Sequence, residues 1–378
     1  MLDVKRASPA WLLWLVLAGC GGPAYGDAWL RSFNAGRRAT SAGRDEEASR
    51  YFEQAARDAR RPKDRDEARF MQARMFERLG RTDAARQTYA RLLAEAPDGL
   101  RAARARFSLA RLAIANGDES GWLQLEEAVV RHPDDGSARS AILDLVEHLR
   151  ATSSEAELRA RLERVVTKIK PGEGEQLLSY QRALSLHRSG ELAAAHAVFL
   201  ETARRYPLPH GNLTDDAFFR ASLVAEQQGD AAQAVADLRE LLDAREVAWF
   251  GQSYERPKYP LAQMRIAELY RDALKDLRKA RDEFRRMSET HTTSILCDDA
   301  LWQEALASHR LGDADEACAA TARLRERYPK TRYLGCLREV CSTAPTSNAT
   351  PSCPDYLRER LAPGAEQPRT RALKADDG

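Results

Sequence analysis

Residues 64–97 read DRDEARFMQARMFERLGRTDAARQTYARLLAEAP, and this stretch decides the fold. From Asp64 to Leu79 the residues are mostly strong helix formers. Gly80 then supplies a residue that accepts positive φ, which a tight turn between two helices needs. A second helix is expected over 82–96, ended by Pro97, which cannot continue it. Ala85 lets the two helices approach closely, and Tyr89 fills the gap toward the next pair. The segment is therefore one antiparallel helical hairpin.

The same punctuation recurs along the chain. Gly43, Gly80, Gly190, Gly229 and Gly312 are each followed five residues later by alanine: Ala48, Ala85, Ala195, Ala234 and Ala317. Nine residues after each stand Phe52, Tyr89, Phe199, Leu238 and Thr321, and seventeen after three of them stand Pro97, Pro207 and Pro329. Gaps of 37 and 39 residues suit one hairpin, while gaps of 110 and 83 are multiples with additions. Weaker hairpins fill the long gaps: 102–116 with 122–132, 138–150 with 155–170, and 261–273 with 277–290. The last lacks the glycine but keeps Ala280 and Phe284. About eight hairpins are expected in the array, residues 28–332. An unrelated helical bundle would share the helix formers but not the joint spacing.

This order of small residue, aromatic and closing proline resembles the tetratricopeptide repeat. The resemblance implies an all-α, right-handed superhelical solenoid whose first helices line a concave groove for extended peptides or helices. Alignment on the glycines puts Phe70, Tyr180, Phe219 and Trp302 at one equivalent place, ten residues before each Gly. Arg74 follows four residues after the first aromatic, and His187 and His309 seven after theirs, on the same helical face. These seven residues are the candidate partner-binding set. The aromatics have a plainer reading, which we favour: packing between successive helices.

The N-terminus has its own pattern. Lys5 and Arg6 precede the apolar run AWLLWLVL at 10–17, which is too short to span a bilayer and is laid out as a secretory signal peptide. It ends in Leu17-Ala18-Gly19-Cys20, which resembles the lipobox of bacterial lipoproteins. That family implies cleavage after residue 19, acylation of Cys20 and a lipid-anchored chain, since two or more acyl chains hold a protein durably on a membrane. Residues 20–27 would be the tether. Gly21 stands where the family carries Asp for inner-membrane retention, so the resemblance implies an outer-membrane, periplasm-facing protein. A plain signal peptide with a chance cysteine is the alternative.

Two segments depart from the repeat. The insertion 246–260 holds Trp249, Phe250, Tyr254 and Tyr259, which either form a binding loop or plug irregular stacking; the plug is the simpler reading. A capping segment at 333–356, with a capping helix over 333–341, holds Cys336, Cys341 and Cys353. With Cys318 and Cys297 it makes five cysteines in an exported, oxidising context. Pairing of Cys318 with Cys336 and of Cys341 with Cys353, leaving Cys297 free, is the expected arrangement, although sequence alone leaves connectivity open. Residues 357–378 form a tail, expected to be disordered from about 363.

Lysine plus arginine number 59 against 57 aspartate plus glutamate, for a net charge of +2, so no polyelectrolyte pull toward nucleic acid is implied. The zinc-protease, phosphate-loop, hydrolase and dinucleotide motifs are absent, and the seven histidines are scattered. No catalytic residue, metal, cofactor or small-molecule substrate is expected. The expected function is a non-catalytic scaffold for other cell-envelope proteins. The alternatives are a peptidoglycan-engaging module, like the superhelix of soluble lytic transglycosylases, and a pilotin-like assembly factor. Both functional analogies rest on fold alone.

Overall fold

The computed structural model describes residues 26–207, 210–244, 256–345 and 352–362, with 365, 367 and 369. The signal peptide, Cys20, Trp249, Phe250, Tyr254 and most of the tail beyond 363 lie outside the described residues. Everything described is helix, turn or coil, with no strand among the described residues. No helix among them is long and apolar enough to cross a membrane. The chain divides into two compact units, 1–149 and 150–378.

The first unit contains hairpins α1 (Asp27–Ser41) with α2 (Asp45–Asp58), α3 (Pro62–Arg78) with α4 (Thr82–Glu95), and α5 (Ala102–Ala115) with α6 (Ser120–Arg131), followed by α7 (Ala138–Thr152). The second contains α8 (Glu155–Val166), then α9 (Glu173–Arg188) with α10 (Leu192–Arg205), α11 (Thr214–Gln227) with α12 (Ala231–Asp243), α13 (Lys258–Asp272) with α14 (Leu277–Thr290), and α15 (Cys297–Leu311) with α16 (Ala314–Arg327). Within these hairpins each helix packs on its partner, and successive hairpins of a unit pack on each other. Each unit is thus an all-α stack of solenoid type.

The spacing rule corresponds directly to packing. Ala48, Ala85, Ala195, Ala234, Ala280 and Ala317 are wholly buried, as are Phe52, Tyr89, Phe199, Leu238 and Phe284, with Thr321 nearly so. The methyl-sized residue sets the close approach and the larger one fills the space that results. Six of the turns put glycine in the left-handed region, with φ between 68° and 82°. At Gly312 this conformation ends α15, and the amide donates to the His309 carbonyl.

The third hairpin shortens the rule by one residue. Its left-handed turn residue is Gly117, and the close-approach position is Gly121, four residues on. A Cβ at Gly121 would lie 2.7 Å from the backbone nitrogen of Ile114 and 2.9 Å from the Ala110 carbonyl. Leu125 takes the place of the aromatic and is wholly buried. Here even alanine is too large.

Ion pairs one repeat apart tie neighbouring hairpins together. Arg101 grips Glu67, Arg204 grips Glu240 through Nε at 2.7 Å and Nη2 at 2.8 Å, and Arg265 grips Glu226. The planar guanidinium fork matches a carboxylate at two points, a geometry lysine cannot reproduce.

The C-terminal cap corrects two expectations. Instead of one helix over 333–341, a 3₁₀ turn (Leu334–Cys336) leads into the short α17 (Leu337–Val340), and α18 (Asp355–Arg358) follows. The disulfides join Cys318 with Cys341 and Cys336 with Cys353, not Cys318 with Cys336 and Cys341 with Cys353. Cys336 is fully buried in the cap core, against the segment carrying Cys353. The chain leaves α17 at Cys341 beside α16, where Thr343 touches the sulfurs of both Cys318 and Cys341. The two crosslinks therefore interlock. Cys297 is free and buried, donating its thiol to the His291 carbonyl at 3.0 Å.

Candidate functional site

A groove lies in the first unit, between α3, α5 and the turn at 136–137. Phe70, Arg74 and Glu77 come from α3, one face of one helix. Phe107, Arg104 and Arg111 come from α5. The space they enclose is ≈ 590 Å³, within the usual range of ligand pockets.

Phe70 and Phe107 are almost wholly buried and line the groove with little exposed surface. Phe70 sits 5.7 Å from Tyr89 between ring centroids, and the Arg101 guanidinium lies over it at 5.3 Å. Arg111 is fixed by Asp144, with Nη2 at 2.8 Å, and by the Ser140 hydroxyl at 2.8 Å. Arg74 and Arg104 are exposed and make no ion pair among the described residues. Burial raises the Glu77 carboxyl above its ordinary value, opposed by the Tyr89 hydroxyl and the Arg74 charge. The groove is therefore apolar at its base and basic at its rim.

The other expected aromatics serve packing. Tyr180, Phe219 and Trp302 are buried like Phe70. Tyr180 meets Phe199 edge-on at 5.5 Å and accepts a hydrogen bond from Arg220 Nε at 2.5 Å; burial pushes its phenol up to about 12. Phe219 lies under Lys258, 5.1 Å from the ring centre. Trp302 stacks on Tyr333 at 4.8 Å, and Arg332 covers Tyr333. The aromatic file is thus an inter-repeat core, with a cation of the following repeat over Phe70, Tyr180 and Phe219. His187 pairs with Gln227 at 2.8 Å, and His309 is exposed. Tyr259 is buried near the start of α13, in keeping with a plug and not a binding loop at that one position.

Arg104, Phe107 and Arg111 were not among the expected residues. The ruler that finds them is Gly117: Phe107 stands ten residues before it and Arg111 six, as Phe70 and Arg74 stand before Gly80. The third hairpin was expected only as a weak one, because its alanine position holds glycine, and so its groove residues were not aligned with the others.

Three segments, 67–99, 216–244 and 299–331, match the family model described as tetratricopeptide repeat. They coincide with parts of the second, sixth and eighth helical pairs. No curated protein is similar in sequence. Solved structures that resemble the chain include the TPR domain of P58(IPK), at 16% identity and TM-score 0.27, covering 82% of this chain and 87% of that one. PilW, a type IV pilus biogenesis factor, aligns at 19% identity and TM-score 0.33, covering 61% of this chain and 94% of that one. The C-terminal part of a TPR repeat-containing protein from Cytophaga hutchinsonii aligns at 12% identity and TM-score 0.34, covering 79% and 96%. Repeat arrays of this kind are interaction scaffolds that offer extended binding surfaces.

Proposed function

We propose that the chain is a non-catalytic adaptor of the bacterial outer membrane, held by lipid on Cys20 and facing the periplasm. Its first unit would clasp an extended, acidic segment of another envelope protein. The observation that carries this reading is the repetition of Phe70–Arg74 as Phe107–Arg111, one repeat apart in a single groove, with Arg74 and Arg104 free of ion pairs among the described residues. A bound strand or helix would set apolar side chains against Phe70 and Phe107 and carboxylates against the arginines. Charged pairs at such a rim mainly set association rate and specificity. The lipobox supports the location, and the lipid supplies localisation while the groove supplies recognition.

The test is affinity capture from detergent-solubilised membranes after mild crosslinking, comparing the wild type with Arg74→Glu/Arg104→Glu. A stoichiometric envelope partner that the double variant fails to recover is the expected result. Equal recovery with both chains, or none with either, would overturn it.

A further inference from the structure

The turn between α13 and α14 differs from the other hairpin turns in one residue. Where six turns use glycine in the left-handed region, Lys275 adopts it, at φ 55°, the only non-glycine to do so among the described residues. Ala280 and Phe284 follow at five and nine residues, so Lys275 stands in the glycine position of the repeat. An L-residue there costs roughly 1–2 kcal/mol. Strain of this kind persists where the surroundings use it.

Lys275 lines a cavity of ≈ 390 Å³ with Arg271, Arg310, Arg369 and Asp272. Among the described lining residues the charges do not cancel. Asp272 is the one carboxylate among them; it receives Arg271 Nε at 2.7 Å and Nη2 at 2.8 Å, and lies 3.7 Å from Arg369. The remaining Arg271 nitrogen, Nη1, donates to Gln303 at 2.8 Å. Lys275 makes no ion pair among the described residues. Arg310 donates Nη2 to the Arg360 carbonyl at 3.1 Å, and its buried Nε–H has no partner among the described residues. The Gln367 side chain donates to the same carbonyl at 2.7 Å and closes that side of the cavity. Burial, and then the neighbouring Arg271 charge, lower the Arg310 pKa from its ordinary value. A buried donor without an acceptor, among like charges, is a standing cost that an anion would remove.

We propose that this cavity binds a phosphate-class dianion, free or as a phosphomonoester, held by Arg310 and Lys275 with Arg271 locked in place by Asp272. Two cations without ion pairs match a dianion, whereas a single carboxylate would leave one unmatched. The cavity also falls in the size range that encloses a small organic ligand, which leaves room for an esterified group. Lysine in place of glycine exchanges backbone ease for a charge at the mouth of the site.

The decisive variant is Lys275→Gly, which removes the charge and returns the preferred residue to the left-handed turn, so it folds at least as stably. Thermal unfolding of the full chain is measured in chloride and, at matched ionic strength, in 10 mM (about tenfold above a Kd of order 1 mM) inorganic phosphate or glycerol 3-phosphate. The wild type is expected to gain about 2–4 °C in either anion. Lys275→Gly is expected to start at an equal or higher midpoint in chloride and to lose that gain, while Lys275→Arg keeps it. A larger gain with the ester identifies a phosphomonoester as the ligand, and equal gains identify free phosphate. No anion-specific gain in the wild type, or an undiminished gain in Lys275→Gly, would overturn the proposal.

Discussion

Replacing Gly121 by alanine separates the packing account from helix propensity, because the two predict opposite signs. In a helix, Gly→Ala gains up to about 1 kcal/mol. The added Cβ, however, would stand 2.7 Å from the Ile114 nitrogen, 2.8 Å from its Cγ1 and 2.9 Å from the Ala110 oxygen. Two of those atoms are backbone of α5 and cannot rotate away. Relief requires α6 to move off by roughly half an ångström, and a gap of that size forfeits about a quarter of each dispersion contact it opens. Leu125 and Val129 are wholly buried on α6 and would bear this loss. Overpacking of this kind costs about 1–3 kcal/mol, to which the loosened contacts add about 1 kcal/mol. After the propensity gain, the net loss is about 1–3 kcal/mol. Urea titration followed by circular dichroism gives the midpoint shift, with Gly80→Ala as the comparison. At Gly80 nothing lies within 4 Å of a Cβ, and only the φ of 68° opposes the change. A midpoint for Gly121→Ala at or above that of the wild type would refute the reasoning.

Other consequences can be checked separately. Phe52→Ala empties a wholly buried position between α1 and α2 and should cost about 3–5 kcal/mol, read as the fall in unfolding free energy. Non-reducing peptide mapping should recover Cys318 linked to Cys341 and Cys336 linked to Cys353; Cys336→Ser/Cys353→Ser should lower stability by about 3 kcal/mol, since a loop of that length is released in the unfolded chain. The Arg204 hydrogen bonds hold the Glu240 carboxyl below its ordinary value of 4.5. A depressed carboxyl contributes stability that is present above pH 4.5 and lost as pH falls through the lower folded value. Glu240→Gln should therefore flatten the acid limb of a stability-against-pH curve slightly, because both partners are largely exposed; an unchanged limb would remove this pair from the account.

The fold was legible where residue chemistry forces local geometry. Glycine marks a left-handed turn because other residues are penalised there, so Gly43, Gly80, Gly190, Gly229 and Gly312 located five hairpins directly. The buried alanine and aromatic positions followed from the same ruler. The third hairpin blurred because Gly121 replaces alanine and shortens the spacing by one, which hid Phe107 and Arg111. The seventh blurred because Lys275 stands where glycine was sought. The aromatic file was legible as a set but ambiguous in role. Whether a ring faces a groove or a neighbouring helix depends on which cation of the next repeat lies over it, as Arg101, Arg220 and Lys258 do. Which four cysteines pair and which is left free was legible, but their connectivity was not, since it depends on where α17 ends and the chain reverses.

The claim that the first-unit groove is the recognition surface is tested most directly by photocrosslinking in intact membranes. A photoreactive residue at Ser108, which lines the groove, is compared with one at Leu123, exposed on α6 and not part of that lining. The account predicts one discrete crosslinked envelope protein from position 108, suppressed by Arg74→Glu/Arg104→Glu, and none from position 123. No adduct at 108, or the same adduct from both positions, would contradict it.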